Sequence, residues 1–191
     1  MNICLYGASS PALDCVYFDA AEEFGRLLAQ HGHTLVYGGG AQGVMGAASR
    51  GAADAGGKII GIAPSFLNVD GILFDRCTEF ILTDTMAERK AAMIAHADAF
   101  VMAPGGFGTF EEFFEVLTLK QLGRINKPIM LFNLNGYYGP LLRLLDETIA
   151  QGFMKPACRR LYAAFDDSEA MLAAIQKELA EPLDLTGLKN I

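Results

Sequence analysis

The sequence predicts a three-layer α/β fold, in which helices cover both faces of a mostly parallel, doubly wound sheet of about seven strands. Short apolar runs alternate along the chain with segments whose apolar residues recur at helical spacing. Several of these runs end in glycine-rich loops, as strands that border a ligand crevice do. The length of 191 residues and the 52% share of hydrophobic residues suit one sizeable core. We therefore predict a single Rossmann-like domain over residues 1–191.

Each element is predicted from its local pattern. Apolar runs predict strands at residues 2–6, 34–37, 58–62, 79–82, 98–102, 127–132 and 161–165. Helical spacing predicts helices at about 18–30, 43–55, 86–97, 109–123, 137–150 and 168–180. Residues 64–77 lie between two strands and have no sustained period, so they are a candidate mobile loop or lid.

Composition and charge exclude several classes of function. The formal net charge of -7 provides no basic surface for nucleic acid or for an anionic membrane. The first residues lack a basic signal-peptide segment and no apolar run reaches spanning length, so a cytoplasmic location is expected. The four cysteines and three histidines are unclustered. We therefore expect reduced thiols, no metal site and no cofactor.

The most informative stretch is Pro-Gly-Gly-Phe-Gly-Thr-Phe-Glu-Glu at residues 104–112, which follows an apolar run and precedes a helical pattern. Glycines let the backbone approach a ligand closely, and the first amides of a helix have no partner within it. This arrangement is typical of a phosphate site. Thr109 and Glu112 also fit a capping box, in which Glu112 only closes the helix start. The spacing alone leaves both interpretations open.

A second glycine-rich loop, residues 38–46, follows the second predicted strand. Its Gly38, Gly40 and Gly43 fit the dinucleotide pattern GxGxxG, but the next strand ends in Ala-Pro without the acidic residue that the pattern needs. We therefore interpret it as a second loop lining the same crevice. The helix predicted after this loop has a face of small residues that should pack tightly on the sheet. This face contains Gly43, Gly46, Ala47, Gly51 and Ala55.

Two cations, Arg89 and Lys90, lie near the start of a predicted helix. Thr85 and Glu88 before them have the spacing of a capping box. Cations at a helix N-terminus oppose the helix dipole, so another interaction should offset this cost. Either the two side chains form a solvated charged surface, or they reach a phosphate or ribosyl group.

The motif Pro-Gly-Gly-x-Gly-Thr-x-x-Glu, together with Met-Ala-Glu-Arg-Lys at residues 86–90, resembles the signature of the LONELY GUY family. These are cytokinin-activating phosphoribohydrolases that were long labelled "lysine decarboxylase-like". The resemblance extends from the first glycine-ended strand to about Gly123 and implies that Arg89 and Glu112 are catalytic. It implies substrate-binding roles for Arg89, Lys90, Gly105, Gly106, Phe107, Gly108, Thr109, Phe110 and Glu111. Ala87 departs from the family pattern, which often has histidine there.

The resemblance further implies a reaction. The substrate would be adenosine 5′-monophosphate or an N6-modified form of it, and the products would be the free base and ribose 5-phosphate. A carboxylate such as Glu112 can stabilise the oxocarbenium-like centre of this reaction and position or deprotonate water. We expect Glu112 in the first helical turn, where the helix dipole favours its ionised form. A homodimer with sites near its interface is also implied.

Two other functions remain as alternatives. A nucleotide- or cofactor-binding carrier protein could use the same scaffold, with Glu112 serving only as a helix cap. An amino-acid decarboxylase would need a lysine Schiff base to pyridoxal phosphate. None of the lysines lies in a sequence context typical of that chemistry.

Overall fold

The computed structural model describes residues 1–188, and this part of the chain contains seven strands and six α-helices. The strands are β1 (Asn2–Tyr6), β2 (Thr34–Tyr37), β3 (Lys58–Pro64), β4 (Glu79–Thr83), β5 (Ala99–Met102), β6 (Ile129–Phe132) and β7 (Ala163–Phe165). The helices are α1 (Cys15–Gln30), α2 (Gly43–Asp54), α3 (Met86–His96), α4 (Phe107–Gln121), α5 (Gly139–Ala150) and α6 (Ser168–Ala180). No helix in the described residues is long and apolar enough to span a membrane. The last three residues of the predicted domain, 189–191, lie outside the described residues.

The strands form one sheet in the order β4-β3-β2-β1-β5-β6-β7, and all neighbouring strands are parallel. The chain moves outward from β1 to β4 and then returns to β5 on the other side of β1. The strand order therefore reverses between β1 and β5, where the carboxyl ends of parallel strands leave a crevice. Tyr6 pairs with Met102 at that edge, and the Ala8 amide donates to the Pro104 carbonyl at 3.1 Å. The predicted doubly wound α/β fold is confirmed.

Both faces of the central strands β1, β2, β5 and β6 are buried, because alternate residues of each strand point to opposite helical layers. Ile3 and Leu5 of β1 pack in the core under α1, α2 and α6. Cys4 and Tyr6 pack in the second core, which α3, α4 and α5 cover. The apolar runs read from the sequence are continuous for this reason, and the three layers are as predicted.

The small residues of α2 serve mainly its contact with α1. A Cβ on Gly51 would lie 1.9 Å from the Glu22 carbonyl oxygen of α1, and a Cβ on Gly25 would lie 1.9 Å from the Ala48 carbonyl oxygen of α2. The two helices therefore approach as closely as backbone allows. The predicted packing of this face on the sheet is wrong for Gly51, which contacts α1. It is also wrong for Ala55, which is the exposed C-cap of α2.

Several element boundaries differ from the prediction. The fifth helix starts at Gly139, two residues later than predicted, because Tyr137 and Tyr138 belong to a turn that directs their side chains toward the crevice loops. The third strand continues to Pro64, while the last two strands are shorter than predicted. All four cysteines are free thiols, as expected; Cys4 and Cys158 are buried, and Cys15 is exposed.

Candidate functional site

The crevice between the ends of β1 and β5 opens into a cavity of about 600 Å³. The loop after β1 and the glycine loop after β2 form one side of it, and the first residues of α4 form the other. Arg89 and Glu112 complete the cavity from α3 and α4. Gly38 and Gly40 are among the lining residues, so the prediction that the second glycine loop shares the crevice is confirmed.

The glycine loop after β5 leads directly into α4. This helix begins at Phe107, and its N-cap is Gly106. Thr109 therefore occupies the third helical position, with its side chain packed so closely on Gly105 that a Cβ there would lie 2.1 Å from the Thr109 hydroxyl. Among the described residues, no side chain caps this helix start. The capping-box interpretation of Thr109 and Glu112 is wrong, and the free first-turn amides border the cavity.

Arg89 and Glu112 form a buried ion pair in the cavity wall. The Arg89 Nη1 atom donates to Glu112 Oε1 at 2.9 Å, and Arg89 Nε donates to the Ile62 carbonyl at 3.2 Å. Arg89 is only 7% exposed and Glu112 only 9%. A Cβ on Gly38 would lie 2.2 Å from Arg89 Nη2, so this glycine leaves the space that the guanidinium occupies.

Glu112 lies in the second turn of α4, not in the first turn where we expected it. The helix dipole acts mainly within the first turn, so it is not the main influence on this carboxyl group. Burial raises the pKa of Glu112 above its usual range, and the neighbouring Arg89 guanidinium opposes that rise. The expectation of an ionised state favoured by the helix start is therefore wrong, and the balance depends on burial and on Arg89.

The residue after Arg89 points to a different place. Lys90 pairs with Glu111 and, at 3.2 Å, with Glu115 Oε2 on the outer surface of α4. The hydrogen bond to Glu111 is the main cause of a raised Lys90 pKa. Lys90 borders a groove between α3 and α4 together with Ala87, the position where the chain departs from the family pattern. Both residues lie outside the cavity lining.

The helix that carries these cations starts as predicted. The Thr85 hydroxyl accepts from the Glu88 amide at 3.2 Å, and the Glu88 carboxylate accepts from the Thr85 amide at 3.1 Å. The predicted capping box is confirmed. The predicted offset for cations at this helix start is also confirmed, since Arg89 and Lys90 each pair with a carboxylate of α4.

The predicted site residues divide into two groups. Those that line the cavity are Arg89, Gly106, Phe107, Gly108, Thr109 and Glu112. Those that do not line it are Lys90, Gly105, Phe110 and Glu111. Gly105 lies buried behind Thr109, and the Phe110 ring packs edge-on against Tyr138 with 6.3 Å between the centroids. Binding roles for both groups remain predictions from the resemblance.

The segment at residues 64–77 contributes Leu67, Gly71, Ile72 and Leu73 to the cavity lining. It contains a short 3₁₀ helix, Ser65–Leu67, and it is tied to the second glycine loop by two backbone hydrogen bonds. The Ala41 amide donates to the Ile72 carbonyl at 2.9 Å, and the Phe74 amide donates to the Gly39 carbonyl at 2.9 Å. The segment therefore borders the cavity, and its role as a mobile lid stays a prediction.

An apolar wall is the part of the cavity that the sequence analysis missed. Leu67, Ile72 and Leu73 of the segment 64–77 contribute to it, together with Met45 and Met86. These side chains come from three separate stretches of the chain, so no local pattern marks them as neighbours. The cavity therefore combines an apolar wall, a row of free backbone amides and one buried ion pair. Within residues 1–188, no group of three or more His, Cys, Asp or Glu side chains could hold a metal ion.

Solved structures of the same fold include cofactor carriers. The molybdenum cofactor carrier protein MCP from Chlamydomonas reinhardtii matches with a TM-score of 0.73 and 26% identity, over 94% of this chain and 98% of that chain. The molybdenum cofactor binding protein from Rippkaea orientalis matches with a TM-score of 0.68 and 23% identity, over 92% of this chain and 94% of that one. The second likeness bears on the fold alone.

Sequence relatives carry the names of enzymes. The cytokinin riboside 5′-monophosphate phosphoribohydrolase LOG2 of Arabidopsis thaliana is 38% identical over 92% of this chain and 83% of its own length. The probable cytokinin riboside 5′-monophosphate phosphoribohydrolase LOGL5 of Oryza sativa subsp. japonica is 36% identical over 98% of this chain and 76% of its own length. The family model described as "Possible lysine decarboxylase" matches residues 45–175. With the family model matching most of its length and these relatives matching nearly all of it, the chain belongs to the LONELY GUY family.

Proposed function

We propose that this chain hydrolyses the N-glycosidic bond of adenosine 5′-monophosphate or its N6-modified forms, releasing the free base and ribose 5-phosphate. The observation that carries the proposal is the buried Arg89–Glu112 pair beside the free amides of α4 in one cavity. The names of the relatives support the same reaction. In this proposal residues 1–191 are one nucleotide-binding domain that works in the cytoplasm without a cofactor.

The start of α4 binds the 5′-phosphate in this mechanism. The amides of Gly106, Phe107, Gly108 and Thr109 have no partner within the helix, and the helix dipole favours an anion at this end. The Thr109 hydroxyl lies at the same rim. Because the net charge of the chain is -7, the affinity for phosphate has to come from such local groups. Holding the phosphate fixes the ribose relative to Glu112.

Glu112 acts on the reacting carbon. The bond between C1′ and the base nitrogen breaks, the oxygen of a water molecule bonds to C1′, and one proton of that water goes by way of Glu112 and solvent to the departing base. The Glu112 carboxylate stabilises the positive charge that develops at C1′ and accepts the proton that water loses. Burial that raises its pKa makes it a stronger base than an exposed carboxylate, while Arg89 keeps it available in the ionised form.

Arg89 has two roles in the proposal. Its bonds to Glu112 Oε1 and to the Ile62 carbonyl hold the carboxylate in one orientation. Its remaining nitrogen, Nη2, lies beside Gly38 at the cavity and can donate to the nucleotide. A planar guanidinium suits this double task better than an ammonium group.

We also propose a homodimer in which the outer surface of α4 takes part. Phe107 is 95% exposed at the cavity mouth, and Phe114 is 41% exposed on the same helix. Large apolar side chains in such positions are typical of a covered surface. In the dimer, Lys90 and Glu111 would lie near the interface, which accounts for their place in the family signature. Sedimentation equilibrium should give twice the 20.5 kDa chain mass, and Phe114→Ser should shift the equilibrium toward the single chain.

The reaction is tested by incubating the purified protein with adenosine 5′-monophosphate and with its N6-isopentenyl form. Chromatography should detect free base and ribose 5-phosphate in equal amounts, and the ratio of the two rates gives the substrate preference. Adenosine is the matched control, because it lacks the phosphate that α4 binds. Absence of both products from both nucleotides would contradict the proposal.

A carrier protein is the second candidate, because the fold matches that of MCP with a TM-score of 0.73. This alternative gave Glu112 the role of a helix cap, yet Gly106 occupies the N-cap position of α4. Glu112 pairs with Arg89 instead, which supports a chemical role. Nucleotide binding without any cleavage would favour the carrier.

Decarboxylation, which the family model's description suggests, has less support. It needs a lysine amine at the reacting centre. Among the described residues, no lysine lines the cavity. Fully buried Lys120 pairs with Glu178 at 2.6 Å, away from it. A visible absorption band of bound pyridoxal phosphate in the purified protein would restore this alternative.

A further inference from the structure

Two consecutive tyrosines outside the family signature bind the glycine loop from behind. The Tyr137 hydroxyl donates to the Gly105 carbonyl at 2.5 Å, and the Tyr138 hydroxyl donates to the Ala103 carbonyl at 2.7 Å. The carbonyl between these two, that of Pro104, accepts from the Ala8 amide at 3.1 Å. Three successive carbonyls of the loop are therefore held by groups outside it.

The chain holds these tyrosines in place with a tight turn after β6. The Asn133 amide donates to the Phe165 carbonyl at 2.6 Å, and its side-chain Oδ1 accepts from the Tyr138 amide at 2.7 Å. Asn135 has a φ of 51°, a left-handed conformation that asparagine tolerates better than most residues. The turn brings both tyrosine side chains back to the end of the neighbouring strand β5. Their placement is thus fixed by the backbone of the turn.

The geometry of the peptide group connects Tyr137 to the cavity. In a planar trans peptide the C=O and the following N–H point in opposite directions. Because the Gly105 carbonyl points at Tyr137, the Gly106 amide has to point away from Tyr137. Gly106 is the N-cap of α4 and lines the cavity. Gly105 and Gly106 have no side chains that would restrict this peptide, so without an external bond it could rotate.

We propose that Tyr137 is a positioning residue for phosphate binding: its hydroxyl fixes the Gly105–Gly106 peptide so that the Gly106 amide faces the anion. This inference rests on the proposed function, since it assigns the cavity rim to the 5′-phosphate. Tyr137 is 37% exposed, whereas Tyr138 is 1% exposed. The Tyr138 hydroxyl mainly satisfies a buried carbonyl. The Tyr137 hydroxyl instead bonds the peptide whose amide, that of Gly106, lies at the cavity.

Binding of two ligands that are not substrates tests the inference. Ribose 5-phosphate carries the phosphate, and adenosine carries the base and ribose without it. Calorimetry should find that Tyr137→Phe weakens ribose 5-phosphate binding by about fivefold or more, the effect of one lost hydrogen bond. Adenosine binding should stay within about twofold, because the rest of the site is unchanged. Tyr17→Phe is the matched control, since the Tyr17 ring packs edge-on against Tyr137 at 6.4 Å between centroids. It should leave both affinities unchanged.

The outcomes separate this inference from the proposed function. Equal weakening of both ligands by Tyr137→Phe, or no weakening of either, would overturn the positioning role. Failure of the unsubstituted protein to bind ribose 5-phosphate would also overturn it. Binding with the expected selectivity but no hydrolysis of any nucleotide would support the positioning role and contradict only the proposed reaction. The melting temperature of Tyr137→Phe should be close to that of the unsubstituted protein, which shows that the variant is folded.

Discussion

Two ion pairs between α3 and α4 differ sharply although their residues are adjacent in sequence. Arg89 and Glu112 pair inside the cavity wall, where both are almost fully buried. Lys90 and Glu111, their immediate neighbours, pair on the outer surface, where the Glu111 side chain is 57% exposed. Each helix supplies one residue to the cavity and an adjacent residue to the surface.

The difference follows from helix geometry. Successive helical residues are rotated by about 100°, so Arg89 and Lys90 point in different directions, and so do Glu111 and Glu112. Removal of either Arg89 or Glu112 is costly because the other is left as an unpaired buried charge, whereas water screens the Lys90–Glu111 interaction. A signature that contains these two adjacent pairs of charged residues therefore combines the proposed reaction centre with a surface contact. Substitutions can separate the two.

The largest expected effect is on the reaction itself. Glu112→Gln should lower kcat by about 10²- to 10⁴-fold, because the amide can neither stabilise the positive charge at C1′ nor accept a proton. Release of ribose 5-phosphate from adenosine 5′-monophosphate measures this. Glu115→Gln is the matched control, since Glu115 is an acidic residue of the same helix that pairs with Lys90 at 3.2 Å outside the cavity lining. Turnover by Glu112→Gln at the control's rate would contradict the catalytic role.

Removing the cation should affect both activity and stability. Arg89→Ala leaves the buried Glu112 unpaired, and we expect a loss of about 3 kcal/mol in the free energy of unfolding at neutral pH. Urea unfolding measures it. Arg76→Ala removes an exposed pair with Asp54 at 2.8 Å and should cost less than about 1 kcal/mol. Equal losses in the two variants would show that burial does not set the strength of the Arg89 pair.

A substitution at a neighbouring residue that crowds Arg89 should disturb the pair as well. In Gly38→Ala the new Cβ would lie 2.2 Å from Arg89 Nη2, so the guanidinium has to move. We expect kcat/KM to fall by about 10- to 100-fold, because small displacements of positioned groups are costly. In Gly40→Ala the new Cβ meets only Met45 Cε at 3.7 Å. Its kcat/KM should fall much less, and equal losses would mean that Arg89 is not the affected group.

The pH dependence should reflect the burial of Glu112. The acidic limb of kcat/KM should have its midpoint above the ordinary value of 4.5, because burial raises the pKa of this carboxyl group. The proton is then held more tightly in the folded state, so the contribution of Glu112 to stability is full below pH 4.5 and declines as pH rises through the folded pKa. Urea unfolding of the unsubstituted protein and of Glu112→Gln should therefore differ in slope against pH. A midpoint at or below 4.5 would contradict the assigned environment.

The smallest effect is expected at the surface pair. Lys90→Ala should lower the free energy of unfolding by less than about 1 kcal/mol, since its partners Glu111 and Glu115 are solvated. Urea unfolding measures this loss alongside Arg89→Ala. A loss as large as that of Arg89→Ala would mean that the surface pair contributes as much to stability as the buried one.

Much of this could be predicted from the sequence, for identifiable reasons. Strand and helix periodicity predict the α/β order, and the two glycine loops fall where parallel strands end, so the crevice could be located before the structure. The start of α4 could not, because Thr109 and Glu112 fit a capping box by spacing while Gly106 takes the N-cap position. The expectation that the helix start favours ionised Glu112 is wrong for the same reason, because Glu112 lies one turn further along the helix.

The remaining misses concern contacts between distant parts of the chain. Tyr137 looked like the first residue of a helix, and only the turn after β6 brings its hydroxyl to Gly105. The apolar wall joins Met45 with Leu67 and Ile72 in the same way. Local sequence patterns contain no information on such contacts, because these depend on how distant loops pack at the edge of the sheet.

The most direct test compares the two adjacent cations in one assay. Initial rates of ribose 5-phosphate release from adenosine 5′-monophosphate would be measured side by side for Arg89→Ala and Lys90→Ala. We predict a loss of about 100-fold or more for Arg89→Ala and a loss below about tenfold for Lys90→Ala. Losses of the same size in both, or a larger loss in Lys90→Ala, would contradict the assignment of the reaction to the buried pair.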